Sequence, residues 1–277
     1  MDQNGIKPFS NWLAVSDIDG TLNNKLRRLP PRNLEAIRRF VKELGGNFTL
    51  ASGRNVASLE KHYRRLPIAG TPAVVLNGAG IFDFESRKML SFAAIDEKGM
   101  DFIGEICERF PALELLIHAA DTVYLVRPVF GRIVMWADNL SYQAVKSIRE
   151  VPRGGWGKVV LAGMSPLVQK ARAFVEEQKD LPVLGIPSSV VSFELLAPGT
   201  HKGTAVLKLA EMLGIPQAHT AAIGDYFNDY DMLRSVAVPA VCAQAPPEMH
   251  KIAAYVSCHC NRGAVADFLA YLEENYT

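Results

Sequence analysis

Trp12-Leu-Ala-Val-Ser-Asp-Ile-Asp-Gly-Thr21 begins as an apolar run and ends in two carboxylates and a glycine. The run Trp12–Val15 has the length and continuity of a buried strand rather than a half-exposed one. The strand predicted here stops at Ser16, and Asp17 and Asp19 then lie two residues apart, placed to point into one pocket, with Gly20 permitting a tight turn. A solvated Asx turn uses the same residue types, so the pair acquires meaning only from what lies beside it in the fold.

Outward from this segment the chain alternates. Leu34, Ile37, Phe40, Val41 and Leu44 recur at three- and four-residue spacing and predict a helix over 31–44, closed by Gly45-Gly46. Phe48–Ala51 reads as a second strand, running into Ser52-Gly53-Arg54. A helix follows over 55–66, then a third strand over 73–76, ending at Asn77. Strand, helix, strand, helix, strand is the rhythm of an α/β fold, a Rossmann-like, doubly wound parallel sheet with crossover helices. In such sheets ligands lie beyond the carboxyl ends of the strands. Asp17/Asp19, Ser52/Arg54 and Asn77 all fall at those ends.

The rhythm changes at about residue 83. A hairpin is predicted around Glu85–Lys88, helices over 100–110, 140–150 and 166–178, and strands over 123–126, 132–136, 158–161 and 190–196. This is the pattern of an inserted α+β domain over 83–192, leaving 1–82 and 193–277 as the core. The parallel pattern resumes with a helix over 203–213, a strand over 220–223 and the loop Gly224-Asp-Tyr-Phe-Asn-Asp229. That loop adds Asp225 and Asp229, again just past a strand. An Asp at a helix start can serve as a cap, but capping accounts for one carboxylate and not the whole set. Several carboxylates in one pocket repel unless a cation sits among them, and hard oxygen donors favour Mg²⁺. Carboxylates more than about 10 Å apart could not share one ion. Lys202, in Pro198-Gly-Thr-His-Lys-Gly203, supplies a cation of the chain's own, and Ser52 a hydroxyl.

Composition narrows the field. With 277 residues, 49% of them apolar, there is ample material for a sizeable core. Thirty Lys plus Arg against 29 Asp plus Glu leave a net charge of +1, so no nucleic-acid partner is implied. No apolar run reaches the length of a membrane span and no signal peptide is recognisable, so a cytoplasmic protein is expected. Four cysteines are too few and too uneven for a disulfide scaffold, and Cys258-His-Cys260 lacks a fourth ligand for a zinc site. The pairs Arg27-Arg28, Arg38-Arg39 and Arg64-Arg65 read as solvated faces. His118, Arg127, Arg132, Trp136 and Lys158 in the insert, and His201 beside Lys202, read as packing or surface residues. Nothing in the sequence speaks to oligomeric state.

The four polar clusters, in this order, resemble the motifs of the haloacid dehalogenase-like (HAD) hydrolases: Asp17-Ile-Asp-Gly-Thr21, Ser52-Gly-Arg54, Lys202 and Gly224-Asp-Tyr-Phe-Asn-Asp229. The large insert after Asn77-Gly-Ala79, and the closing Lys251 and Gly263–Leu269, are similar to the Cof-type (IIB) branch with its C2 cap. The sequence departs from that branch at Gln244, where Asn is commoner, at Tyr226 and Phe227, where smaller or polar residues are usual, and at Ser52, where Thr is more frequent. The resemblance implies a phosphatase that hydrolyses a small phosphomonoester, such as a phosphosugar or a phosphorylated cofactor or metabolite. Asp17 would be the nucleophile, Asp19 the acid and then base, and Lys202 the phosphate's counter-charge. Mg²⁺ would be held by Asp17, the Asp19 carbonyl, Asp225 and Asp229. Thr21, Ser52, Gly53, Arg54, Asn77 and Asn228 would contact phosphate or substrate. A phosphomutase of the same superfamily, or a receiver or binding protein that accepts phosphate without turnover, would carry similar residues. Asp19 and the long insert favour turnover.

Overall fold

Leu13, Ala14 and Val15 are all buried, and a strand covered on both faces needs no polar alternation. The computed structural model describes residues 7–276 except 69, 121 and 139. In chain order, β1 (Leu13–Ser16), α1 (Pro31–Arg38), β2 (Asn47–Leu50) and α2 (Val56–Tyr63) come first, followed by β3 (Ala73–Val75), β4 (Gly80–Asp83) and β5 (Lys88–Phe92). Pro31 opens α1, where a missing N–H costs nothing. The Asn55 side chain caps α2 by accepting the Ser58 N–H at 2.9 Å.

The middle of the chain holds α3 (Glu97–Arg109), β6 (Glu114–Ala119), β7 (Val123–Val126), α4 (Gly131–Asp138), β8 (Gln143–Val145), β9 (Trp156–Ala162), α5 (Ser165–Glu176), β10 (Leu184–Ser189) and β11 (Ser192–Leu196). The last part supplies α6 (Lys202–Met212), β12 (Thr220–Gly224), α7 (Tyr230–Ser235), β13 (Val238–Cys242), α8 (Pro247–His250), β14 (Tyr255–Ser257) and α9 (Ala264–Tyr276).

The described chain forms two compact units, one of residues up to Leu90 together with those from His201 onward, the other Ser91–Thr200. In the first, a five-stranded sheet runs β14-β13-β12-β1-β2 with every pairing parallel. Leu13 and Val15 meet Val206 and Leu209 of α6 and Met232 of α7 in its core, and α9 packs on α1. The third predicted strand, over 73–76, does not simply extend this sheet. β3 pairs antiparallel with β4 and reaches the end of β2 through a single parallel bridge, Ala51 with Val74.

The second unit holds a six-stranded sheet, β10-β11-β9-β6-β7-β8. Alternate residues Leu115 and Ile117 of β6, Val159 and Leu161 of β9, and Phe193 and Leu195 of β11 face Ile103 and Ile106 of α3 and Val168 and Val175 of α5. That alternation is the period-2 signature of a strand, and it sends Leu116, Val123 and Leu125 to the opposite face, where they pack with Met135 of α4.

Two expectations for this unit are corrected. Residues 132–136, predicted as a strand, belong to helix α4. The buried Glu114 carboxylate accepts the N–H groups of Val129, Phe130 and Gly131, satisfying backbone donors where the helix begins. Residues 140–150, predicted as a helix, instead form β8, paired in parallel with β7, and a 3₁₀ turn over Ile148–Glu150. Short apolar runs do not separate helix from strand by periodicity alone, and tertiary partners decided both: the Glu114 carboxylate for α4 and the edge of β7 for β8. Strands β6 and β10 went unpredicted. The first is a central strand of the sheet. The second is an edge strand carrying Pro187, which an edge position tolerates.

Candidate active site

The register of the parallel sheet assembles the site. Ser16 lies opposite Ile223 on one side and Leu50 on the other. The residues just past the three strand ends, Asp17, Asp225 and Ser52, are therefore neighbours. The Asp17 N–H donates to Ile223 O at 3.0 Å, and the Ala51 N–H to Ser16 O at 3.0 Å.

Lys202, at the start of α6, is completely buried and donates to Asp17 Oδ1 and Asp229 Oδ1, each at 2.6 Å. The other oxygen of Asp229 accepts the backbone N–H of Asp225 at 3.1 Å and of Tyr226 at 3.4 Å. Thr21 donates its hydroxyl to Asp225 Oδ1 at 3.0 Å. Gly20 has φ +89°, and a Cβ there would overlap the Asp225 carboxylate, so only glycine lets the first loop approach the last one. Carboxylate oxygens of Asp17, Asp225 and Asp229 all lie within 4.8 Å of one another. That separation is short enough for one ion to be shared.

The electrostatics follow from three carboxylates facing one lysine. Burial, reinforced by Asp229 and Asp225 against the opposing pull of Lys202, raises the Asp17 carboxyl well above the ordinary aspartate value. Burial and then Asp229 push Asp225 up to about 6, against the Thr21 hydrogen bond and Lys202. For Lys202 burial opposes the charge, yet Asp17 and Asp229 outweigh it and hold the ammonium above the usual lysine value. Lone protein charge does not balance this pocket. A divalent cation among the three carboxylates would, and their oxygen donors fit a hard ion.

The second loop brings the remaining residues together. Ser52 is buried, and its hydroxyl accepts the Arg54 N–H at 3.3 Å. Asn77 is buried with φ +54°, and its N–H donates to Ser52 O at 3.0 Å. A Cβ on Gly53 would come within 3.0 Å of the Asn77 amide. Arg54 donates to Asp19 Oδ2 from Nη2 at 2.7 Å and from Nε at 3.2 Å. The Asp19 carboxylate therefore stands apart from the trio, half-exposed and held by a guanidinium. Asn228 sits half-buried in the turn between Phe227 and Asp229.

Sequence reading did not find the part played by Gln244. Its Nε2 donates to Gly20 O at 2.6 Å, and its Oε1 accepts the Cys260 N–H at 3.1 Å. Gln at this position thus holds the turn after Asp19. The only available signal was its departure from the commoner Asn. Cys242 lies behind the same turn, its thiol 3.8 Å from the Thr21 hydroxyl and pushed well up by burial. His201 caps α6, accepting the Thr204 N–H at Nδ1.

Residues 14–269 match the haloacid dehalogenase-like hydrolases, and the chain belongs to that family. It is a hydrolase on an α/β core with an inserted unit. Among its relatives, the HMP-PP phosphatase of Serratia proteamaculans (strain 568) is 25% identical over 264 residues, covering 94% of each chain. A haloacid dehalogenase-like hydrolase from Bacteroides thetaiotaomicron shares the fold with a TM-score of 0.82 at 20% identity, covering 94% of this chain and 99% of that one. The HAD subclass IIB sugar phosphatase BT4131 shares it at 0.79 and 18% identity, covering 95% and 99%. Among the described residues no helix is long and apolar enough to cross a membrane.

Proposed function

We propose that the chain is a Mg²⁺-dependent phosphatase that hydrolyses a small phosphomonoester, a phosphosugar or a phosphorylated cofactor or metabolite, through an aspartyl-phosphate on Asp17. The observation that carries this reading is the buried Lys202 bridging Asp17 and Asp229 at 2.6 Å, with Asp225 completing the acidic trio. Relatives named as phosphatases support the reaction class. The unit of residues up to Leu90 and from His201 onward is read as the catalytic core, Ser91–Thr200 as its cap, and the cytoplasm as its location.

Asp17 attacks phosphorus, and its buried position keeps competing water from the carboxylate. A carboxylate approaching a phosphate meets like-charge repulsion of roughly 4 kcal/mol per unit-charge pair at 4 Å and an effective dielectric near 20. Lys202 offsets part of that from the phosphoryl oxygens, and Ser52 donates a hydrogen bond to them. Asp17, Asp225 and Asp229, with the Asp19 carbonyl, would hold Mg²⁺, which would supply the remaining positive charge. Asp19 protonates the leaving alkoxide and then takes the proton of the water that hydrolyses the acyl phosphate. Its half-exposed carboxylate can reach a leaving group, and Arg54 keeps it oriented. Gly53, Asn77 and Thr21 shape the loops that receive the phosphate, and Asn228 orients it.

The test is hydrolysis of 4-nitrophenyl phosphate with Mg²⁺, with EDTA, and by Asp17→Asn. Turnover that requires both the metal and Asp17 is expected. Turnover that persists in Asp17→Asn would overturn the assignment.

A further inference from the structure

The loop that carries Asp225, Asn228 and Asp229 also carries two consecutive aromatic residues that the chemistry above does not use. Turns after a parallel strand are ordinarily built from Gly, Asn, Asp or Ser, which satisfy the backbone locally. Tyr226 and Phe227 do nothing of that kind. The turn is held instead by Asp229, whose carboxylate accepts the Asp225 and Tyr226 N–H groups and whose own N–H donates to Tyr226 O at 2.9 Å. The same carboxylate pairs with Lys202. The backbone from which both rings project is therefore fixed by the phosphate-handling network itself.

The two residues are 49% and 46% exposed, leaving on the order of 100 Å² of each uncovered. Their centroids are 5.1 Å apart with planes at 68°. Among the described residues, neither ring has another aromatic contact. An edge-to-face pair presents two π-faces nearly at right angles, a corner in which a flat ring stacks on one and meets the other edge-on. The corner begins one residue from Asp225, on the loop that supplies two of the trio's three carboxylates.

We propose that Tyr226 and Phe227 form an aromatic corner that selects phosphomonoesters whose leaving group carries a flat, unsaturated ring over those of open-chain polyols. This rests on the phosphatase reading and narrows its substrate class. The two residues position the leaving group and take no part in bond making.

The test compares kcat/KM for 2-naphthyl phosphate and glycerol 3-phosphate in the full chain with Mg²⁺, for the parent, Tyr226→Ala, Phe227→Ala and the aromatic replacements Tyr226→Phe and Phe227→Tyr. The intrinsic reactivity of each ester cancels when a variant is compared with its parent. Each alanine variant is expected to lower the naphthyl-to-glycerol ratio about tenfold, mainly through KM, at the lower end of what stacking a flat ring on an aromatic side chain contributes. The aromatic replacements are expected to restore it. A ratio unchanged within twofold, or equal losses for both esters, would overturn the proposal. A parent that turns over neither ester defeats the phosphatase reading instead. The corner is then judged by calorimetric binding of 2-naphthyl phosphate, which the alanine variants must weaken about tenfold.

Discussion

Each unit of this chain buries a lysine, and the two are treated differently. In the first, Lys202 faces Asp17 and Asp229 at 2.6 Å, with Asp225 close by. In the second, Lys158 of β9 meets Glu194 of β11 at 3.2 Å. Across the ladder from Lys158, burial and then the lysine's charge push His118 down to about 3, so that imidazole is neutral at any ordinary pH. One lysine against one glutamate is a balanced pair. A lysine against three carboxylates leaves a negative surplus that folding alone gives no reason to keep. Burial by itself therefore does not distinguish a functional lysine. The imbalance of charge around it does.

The largest effect that would break this contrast is on turnover. Asp17→Asn is expected to lower kcat for 4-nitrophenyl phosphate at least about a thousandfold, since a carboxamide is no nucleophile. The contrast itself is tested by paired replacements. Replacing Lys158 and Glu194 together with Met and Leu is expected to be near neutral or mildly stabilising in urea unfolding, as for buried ion pairs exchanged for apolar groups. Lys202→Met strands two buried carboxylates and is expected to cost about 3–5 kcal/mol in metal-free protein as well as about a hundredfold or more in kcat. Equal behaviour of the two sites would remove the argument from charge surplus.

Metal-free protein should also reveal the surplus through pH. Asp17 and Asp225 have folded values raised to about 8 and about 6. Between the unfolded aspartate value and these, the folded state binds more protons than the unfolded one. Stability then falls as pH rises from about 4 to 8. Lys202, raised in the folded state, contributes stability that is complete below the unfolded lysine value and lost only at higher pH, outside this window. The melting temperature in EDTA should drop by a few degrees from pH 5 to pH 8, and Mg²⁺ should restore more at pH 8 than at pH 5. A flat EDTA profile would argue against a shared, unbalanced pocket. The smallest effect concerns Gln244. Gln244→Ala removes its side-chain bonds to Gly20 O and the Cys260 N–H and is expected to cost about 1–2 kcal/mol of stability. The concentration of Mg²⁺ giving half-maximal activity should rise with it, while Gln244→Glu, which keeps only the acceptor, falls between.

The sequence alone was sufficient for the parallel-sheet rhythm around β1, β2 and β12 and for the polar residues at their ends. The reason is local: a strand buried on both faces is an unbroken apolar run, and a carboxylate or glycine after it marks where the run stops. Residues 132–136 and 140–150 were misread because a short apolar segment takes whichever backbone its neighbours satisfy. Here those neighbours are Glu114 at the start of α4 and the edge of β7 beside β8. Tertiary structure also decided how the site residues pair. Lys202 is 185 residues from Asp17, and no sequence spacing shows that it joins Asp17 to Asp229, that Arg54 holds Asp19, or that Gln244 ties the first loop to Cys260. Which residues could do chemistry is a property of side-chain type beside strand ends. Which of them touch is set by sheet register, through hydrogen bonds between strands far apart in the chain.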